Sequence, residues 1–260
     1  MRGIGQGVLW KILLLVGVLL ITFAGVSQWQ RYQAEKNYQA LLALKNNEQF
    51  KLEDMGNTPL PTEDHQDGAG EGYDFQYREN PTKEWLNINP DYMGWITIAN
   101  TNINYPYVRS KDNEDYLERD FYRQKSAAGA IFMDYRNLGN FNDRHTILYG
   151  HNMKSKTMFH QLNNYEDKGF FEENLVIEIS GLYETKTFQV FSAYEVSANE
   201  YIFQLNFQNQ EEYHRYLQSI ASLSLHTNAV ALDPNQKLLT LATCSYGVDN
   251  GRFVIHALEI

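Results

Sequence analysis

"LLTLATCSYGVDNGRF", residues 238–253, reads as one strand running into a tight reversal and the start of a second strand. Leu238 to Cys244 is a short, mostly apolar run, the pattern of a buried strand. "SYGVDNG" then supplies two glycines and the pair Asp249-Asn250, all turn formers. The chain returns as "RFVIHALEI". Antiparallel pairing would set Cys244 and Arg252 at the mouth of one hairpin, where cross-strand neighbours lie about 5 Å apart. Cys244 is the single cysteine of the 260-residue chain. A structural cysteine packs as a small hydrophobe. A nucleophilic one attacks as thiolate and needs a cation or a base beside it. Arg252 is permanently charged and suits a thiolate or an oxyanion developing on a substrate carbonyl. A surface ion pair is its ordinary alternative.

Outward from this hairpin, strand signals recur at Trp95–Ala99, Ile103–Val108, Gly129–Met133, His145–Tyr149, Leu175–Ile179, Thr187–Val196, Lys237–Cys244 and Phe253–Leu258. Eighteen tyrosines and 14 phenylalanines lean the same way. Eight short strands predict a mainly β fold, a closed barrel or a sandwich. Two helices interrupt them. "SKTMFHQLNNY" (155–165) follows the fourth strand, and "NQEEYHRYLQSIASL" (209–223) precedes the seventh. The second opens with Asn209 and Glu212 at capping-box spacing. Its stripe of Tyr213, Tyr216, Leu217, Ile220 and Leu223 predicts core packing.

The other end of the chain is of a different kind. "VLWKILLLVGVLLITFAGV", residues 8–26, carries one charge, Lys11. As a helix it spans about 28 Å, near the thickness of a bilayer core. Arg2 and Lys11 at its start favour an N-inside orientation. A cleaved signal peptide is the competing reading, but Gly25-Val26-Ser27 is a poor cleavage site. The expected division is therefore a tip over 1–7, a signal anchor over 8–27, a helical stalk (28–50) and acidic linker (51–80), and a folded domain over 81–260. The folded domain would lie outside the cytoplasm, where a free thiol is a liability unless function retains it. A net charge of −10 argues against nucleic acid as the main partner. One cysteine forbids an internal disulfide and a cysteine-rich zinc site. No metal or cofactor site is expected.

A thiol nucleophile needs a base, and the chain has seven histidines. His65 falls in the linker, His160 and His214 on helices, and His226 in a loop. His151 directly follows the strand "TILYG", where a side chain can reach into a cleft at a barrel rim. His145 begins that strand and belongs at its opposite end. His256 shares a strand face with Arg252 but lies roughly 13 Å along from it. His151 is favoured and His256 is its rival. Asp134 in "FMDYRN" either orders a histidine or caps a loop. The chain has no G-x-S-x-G elbow, no H-E-x-x-H and no phosphate-binding glycine loop.

With these residues in view, the chain resembles the sortases, the membrane-anchored cysteine transpeptidases of Gram-positive bacteria. "TLATC" (240–244) matches the family's T-L-x-T-C, "YGH" (149–151) its histidine, and Arg252 its arginine. The likeness is to class B and covers roughly residues 81–260. It is carried further by "DNEDYL" (112–117), "GAIFMDYRN" (129–137), "TILYGHNM" (146–153) and "VFSAYE" (190–195), and by the helix before the cysteine strand. The resemblance implies a closed eight-stranded barrel with peripheral helices. It implies that Cys244 attacks the carbonyl of a threonine in a C-terminal sorting signal, and that an amine of cell-wall precursor or of a pilin resolves the thioacyl enzyme. His151 would then exchange protons with the leaving and incoming amines, and Arg252 would hold substrate and steady the oxyanion. Asn113, Leu117, Tyr201, Ile202, Thr243 and Ser245 would line the substrate groove. Many class B members carry serine two residues before the cysteine. Here the residue is Ala242, and the hydrogen bond such a serine would give the peptide is missing.

With ordinary pKa values, roughly 3 % of such a thiol is ionised near neutral pH and about a quarter of such an imidazole is charged. Titrating independently, fewer than about 1 % of molecules would hold the ion pair. Either the site shifts these values or turnover runs on a minor form. Two other readings share these residues: an extracellular cysteine hydrolase on the same scaffold, and a non-catalytic tethered domain with a buried thiol.

Overall fold

The computed structural model describes residues 6–56, 82–197, 203–244 and 251–260. The chain divides into two compact units, Met1–Tyr77 and Arg78–Ile260. In the first, α1 (Gln6–Gly56) runs unbroken through both the apolar span and the stalk. It is the one described helix long and apolar enough to cross a membrane. Leu14, Leu19, Ile21 and Phe23 along it are exposed, as lipid-facing side chains would be. The helix also takes in residues 51–56, expected as the start of the linker; the remaining linker residues lie outside the described residues.

The second unit is a closed barrel of eight strands: β1 (Tyr92–Ile98), β2 (Asn104–Val108), β3 (Ile131–Met133), β4 (His145–Tyr149), β5 (Val176–Ser180), β6 (Thr185–Ser197), β7 (Leu238–Cys244) and β8 (Gly251–Glu259). Their spatial order is β1-β2-β3-β4-β7-β8-β6-β5. Most neighbours are antiparallel, but β2 pairs with β3 and β4 with β7 in parallel. Alternation assigns the two faces. Tyr107, Met133, Leu148, Ile179, Phe188 and Leu239 close around a small internal cavity, while Thr240 and Ala242 fall on the outer face.

The outer face is covered by helices. Before β1, α2 (Lys83–Ile88) sets Trp85 against Trp95, Tyr92 and Phe121, with ring centroids 5.2–6.0 Å apart. The helix α4 (Gln210–Ser222) buries Tyr213, Leu217 and Ile220 against Phe191, Leu238 and Leu258. Asn209 caps it by accepting from the Glu212 amide at 2.9 Å. The reciprocal half of the box is displaced: the Glu212 carboxylate accepts from the Gln208 amide and from the Gln204 side chain. Leu223, expected in the stripe, lies just past the last turn and is exposed.

The helix expected over 155–165 forms later in the chain. Lys156 and Met158 adopt positive φ (64° and 58°), which no α-helix tolerates, and Asn152 bridges Met158. A 3₁₀ segment, His160–Glu166, follows, and then α3 (Lys168–Glu173), which Asp167 caps from the Phe170 amide.

Candidate active site

Three strand ends meet at one rim of the barrel because β4 and β7 run parallel and β8 begins where β7 ends. Along β4 and β7 the register runs from His145 beside Leu238 to Tyr149 beside Ala242. The Gly150 amide continues it by donating to the Ala242 carbonyl at 3.2 Å. Two residues past that last pair on each strand stand His151 and Cys244. On the other side of β7, Cys244 pairs directly with Arg252. The backbone at Cys244 is described; its side chain is not. The Arg252 guanidinium is part-buried and donates to the Gly251 carbonyl at 3.1 Å.

Local packing fixes His151. Gly150 precedes it because a Cβ there would meet Ile131 at 2.5 Å and Phe159 at 2.8 Å. The His151 carbonyl accepts from the Phe159 amide, and its Nε2 lies 2.7 Å from the Leu117 carbonyl. A carbonyl only accepts, so Nε2 carries a hydrogen. Leu117, expected among the groove residues, thus holds the His151 ring through its backbone carbonyl. Its 3₁₀ turn, Asp115–Leu117, is pinned by the Ala130 amide on the Tyr116 carbonyl. The Tyr116 hydroxyl donates to Asp91 at 2.7 Å.

Gly129, which the reading of the residues did not single out, sets this contact. Its φ is +59°, and a Cβ would lie 2.6 Å from the Tyr116 carbonyl, 2.9 Å from the Leu117 carbonyl and 3.0 Å from His151 Cδ2. Only the invasion of three chain segments on one spot reveals it, and spacing carries no trace of that. Gly129→Ala is expected to destabilise the fold by about 1–3 kcal/mol and, by shifting the imidazole, to lower turnover about tenfold or more. Thermal unfolding and peptide-cleavage rates check the two effects separately.

The other expected groove residues divide. Asn113 is taken up locally: it accepts from the Tyr135 amide at 3.0 Å and donates to Asp134 at 3.2 Å. Thr243 is 2 % exposed and shares the strand parity of the inward Leu239, which turns its side chain toward the barrel interior. Tyr201, Ile202 and Ser245 lie outside the described residues. Ala242 is buried with Tyr194 and Val254 beneath Phe203 and Tyr149. Its methyl fills a packed layer at the position where many class B sequences carry serine.

Asp134 orders no described histidine. Its buried carboxylate takes both Nε and a terminal nitrogen of Arg136 at 2.8 Å and the Tyr149 hydroxyl at 3.0 Å. Burial opposes its charge, but Arg136 and the hydrogen bonds prevail and hold it below the usual carboxylate range. His256, the rival base, is fully buried between Thr240 and Tyr194, and desolvation drives its pKa well down. A ring so enclosed reaches no substrate. His145 is buried as well, at the opposite end of β4.

A thiol position, an imidazole-bearing residue and a guanidinium-bearing residue thus come from adjoining strand ends of one closed barrel. Comparisons with known proteins give the family. The sortase-domain family profile matches residues 96–260. Sortase B of Listeria monocytogenes is 36 % identical over 170 residues, covering 65 % of this chain and 69 % of that protein. Sortase B of Staphylococcus aureus is 37 % identical over 173 residues, 65 % and 70 % of the two chains. Among solved structures, a mutant form of Clostridium perfringens sortase B superposes with a TM-score of 0.67 at 38 % identity, over 69 % of this chain and 86 % of that one. A Staphylococcus aureus sortase B–substrate complex gives 0.65 at 34 %, over 69 % and 84 %. The chain belongs to the sortase family, class B, and is a cysteine transpeptidase.

Proposed function

We propose that the chain is a single-pass membrane enzyme that joins secreted proteins to an amine at the outer face of the membrane. The single observation that carries the reading is the strand register, which pairs Cys244 with Arg252 and leads β4 to His151 beside them. The Cys244 thiolate attacks the carbonyl carbon of a threonine in a C-terminal sorting signal. The C–N bond breaks, the His151 imidazolium gives its proton to the departing amine, and a thioester remains. An incoming amine attacks that carbonyl, His151 takes the amine's proton, and an amide forms as the thiolate leaves. Arg252 donates to the oxyanion in both steps, where a fixed charged donor acts most strongly. The amine belongs to cell-wall precursor or to a pilin lysine. The anchor lies over residues 8–27, with the amino terminus inside, and the catalytic domain over 81–260.

The test is a peptide-library screen of the full-length protein in detergent, with and without oligoglycine and a lysine peptide, read by mass spectrometry. Cleavage after threonine with a joined product is expected. Hydrolysis alone under every amine would replace this reading with that of a hydrolase, and no cleavage at all would end it.

A further inference from the structure

Away from the catalytic rim, β6, β8, β7 and β4 are tied together by side chains on the outer face. Tyr194, His256, Thr240 and His145 contribute one residue per strand, and all are buried. Their contacts form a line. His145 Nδ1 lies 2.6 Å from the Gln204 carbonyl, and its Nε2 2.6 Å from Thr240 Oγ1. Thr240 Oγ1 lies 2.7 Å from His256 Nδ1, and His256 Nε2 2.9 Å from the Tyr194 hydroxyl.

The carbonyl at one end dictates the sense of every bond. It can only accept, so His145 Nδ1 carries a hydrogen. Burial keeps both rings neutral, so His145 Nε2 is an acceptor and the Thr240 hydroxyl donates to it. That hydroxyl has one hydrogen and must accept from His256 Nδ1–H. His256 Nε2 in turn accepts from Tyr194. Both imidazoles are therefore held as the Nδ1–H tautomer, which free imidazole side chains disfavour.

The line ends on a segment next to the chemistry. The ring of Phe203, beside Gln204, stands edge-on to His145 (6.4 Å) and to His256 (6.5 Å) and lies 6.3 Å from Tyr149. Phe203 packs on the cluster that contains Tyr149 and Ala242, each two residues before a catalytic position. The Gln204 side chain donates to Glu212 on α4 at 2.9 Å.

Resting on the transpeptidase reading above, we propose that Thr240 is a positioning residue: its hydroxyl, set between two imidazoles, fixes a side-chain relay that seats Phe203 and Gln204 against the strand ends bearing His151 and Cys244, and so shapes the peptide groove. Valine at 240 keeps the shape but strands one ring acceptor and one ring donor; serine keeps the hydroxyl.

The test uses the full-length chain in detergent micelles and the peptide selected in the library screen. Nitrogen NMR of the wild type is expected to show Nδ1–H on both His145 and His256. T240V is expected to speed amide exchange over residues 203–207 at least tenfold and to raise KM at least fivefold with kcat within twofold. T240S is expected to stay within twofold of wild type throughout. A hydrogen on Nε2 of either wild-type ring overturns the relay, as does T240V with unchanged exchange and KM, or an equal loss in T240S. Should T240V fail to fold, the wild-type tautomers and T240S still decide. A wild type that cleaves no peptide would defeat the transpeptidase reading, while tautomers and exchange would still judge the relay on their own.

Discussion

Cys244→Ala is expected to abolish both cleavage and joining, with a loss of at least about a thousandfold. The reasoning is chemical. The reaction needs a covalent acyl intermediate, and no other thiol exists in the chain to form one. Arg252 and His151 alone could still orient a peptide, which sustains only the residual rate that positioning and oxyanion binding give. Position 244 closes a strand, so removing one sulfur there leaves the ladder of β7 with β4 and β8 intact. The variant should therefore unfold within a few degrees of wild type while losing all activity. Hydroxylamine sharpens the measurement, because it traps a thioester as a hydroxamate. Wild type should yield the hydroxamate and Cys244→Ala none. Joined product from the variant at more than a few per cent of the wild-type rate would remove Cys244 from the chemistry.

The second large effect is acid lability. Burial lowers His145 to about 4 and holds His256 well below its ordinary value, against an unfolded value near 6.5. The groups facing His145 are Tyr216, Phe203, Asp134, Asp143 and Arg136; those facing His256 are Tyr194, Phe191, Phe203 and His145 itself. None outweighs desolvation. Below pH 6.5 the unfolded chain takes up protons that the folded chain refuses, so stability is full above that value and falls as pH drops. His145 alone should cost about 3 kcal/mol by pH 4, and His256 adds in the same direction. Urea unfolding of the full-length protein between pH 7.5 and 4.5 should show a slope approaching two protons per molecule. His145→Gln should lower that slope by about one. A flat profile, or an unchanged slope in His145→Gln, would mean that the rings are not neutral and enclosed.

What the sequence disclosed follows from what its patterns measure. Each expected strand corresponds to an observed one, because short apolar runs closed by Gly, Asn and Asp report local backbone directly. The thiol and its arginine were legible for the same reason, being joined by one hairpin. The residues alone favoured His151 and left His256 as a rival; that His256 is fully buried is something spacing does not encode. The 155–165 segment misled because its helix-forming composition hides two positive-φ residues. The relay through Thr240 was invisible, for it exists only once β4 and β7 lie side by side. The depth of Thr243 shows the same limit, since a motif does not say which face of its strand a residue takes.

The parallel pairing of β4 with β7 also bears on how the molecule comes into being. Leu148 must find Leu241 across about half of the domain's length, with no short turn to guide the search. Such distant partners make for sluggish folding, since chain entropy is lost before the contacts repay it. The same delay is protective. Until the barrel closes, the cysteine and the histidine belong to separate stretches of polypeptide, and a nascent chain cannot bring them to bear together on its neighbours.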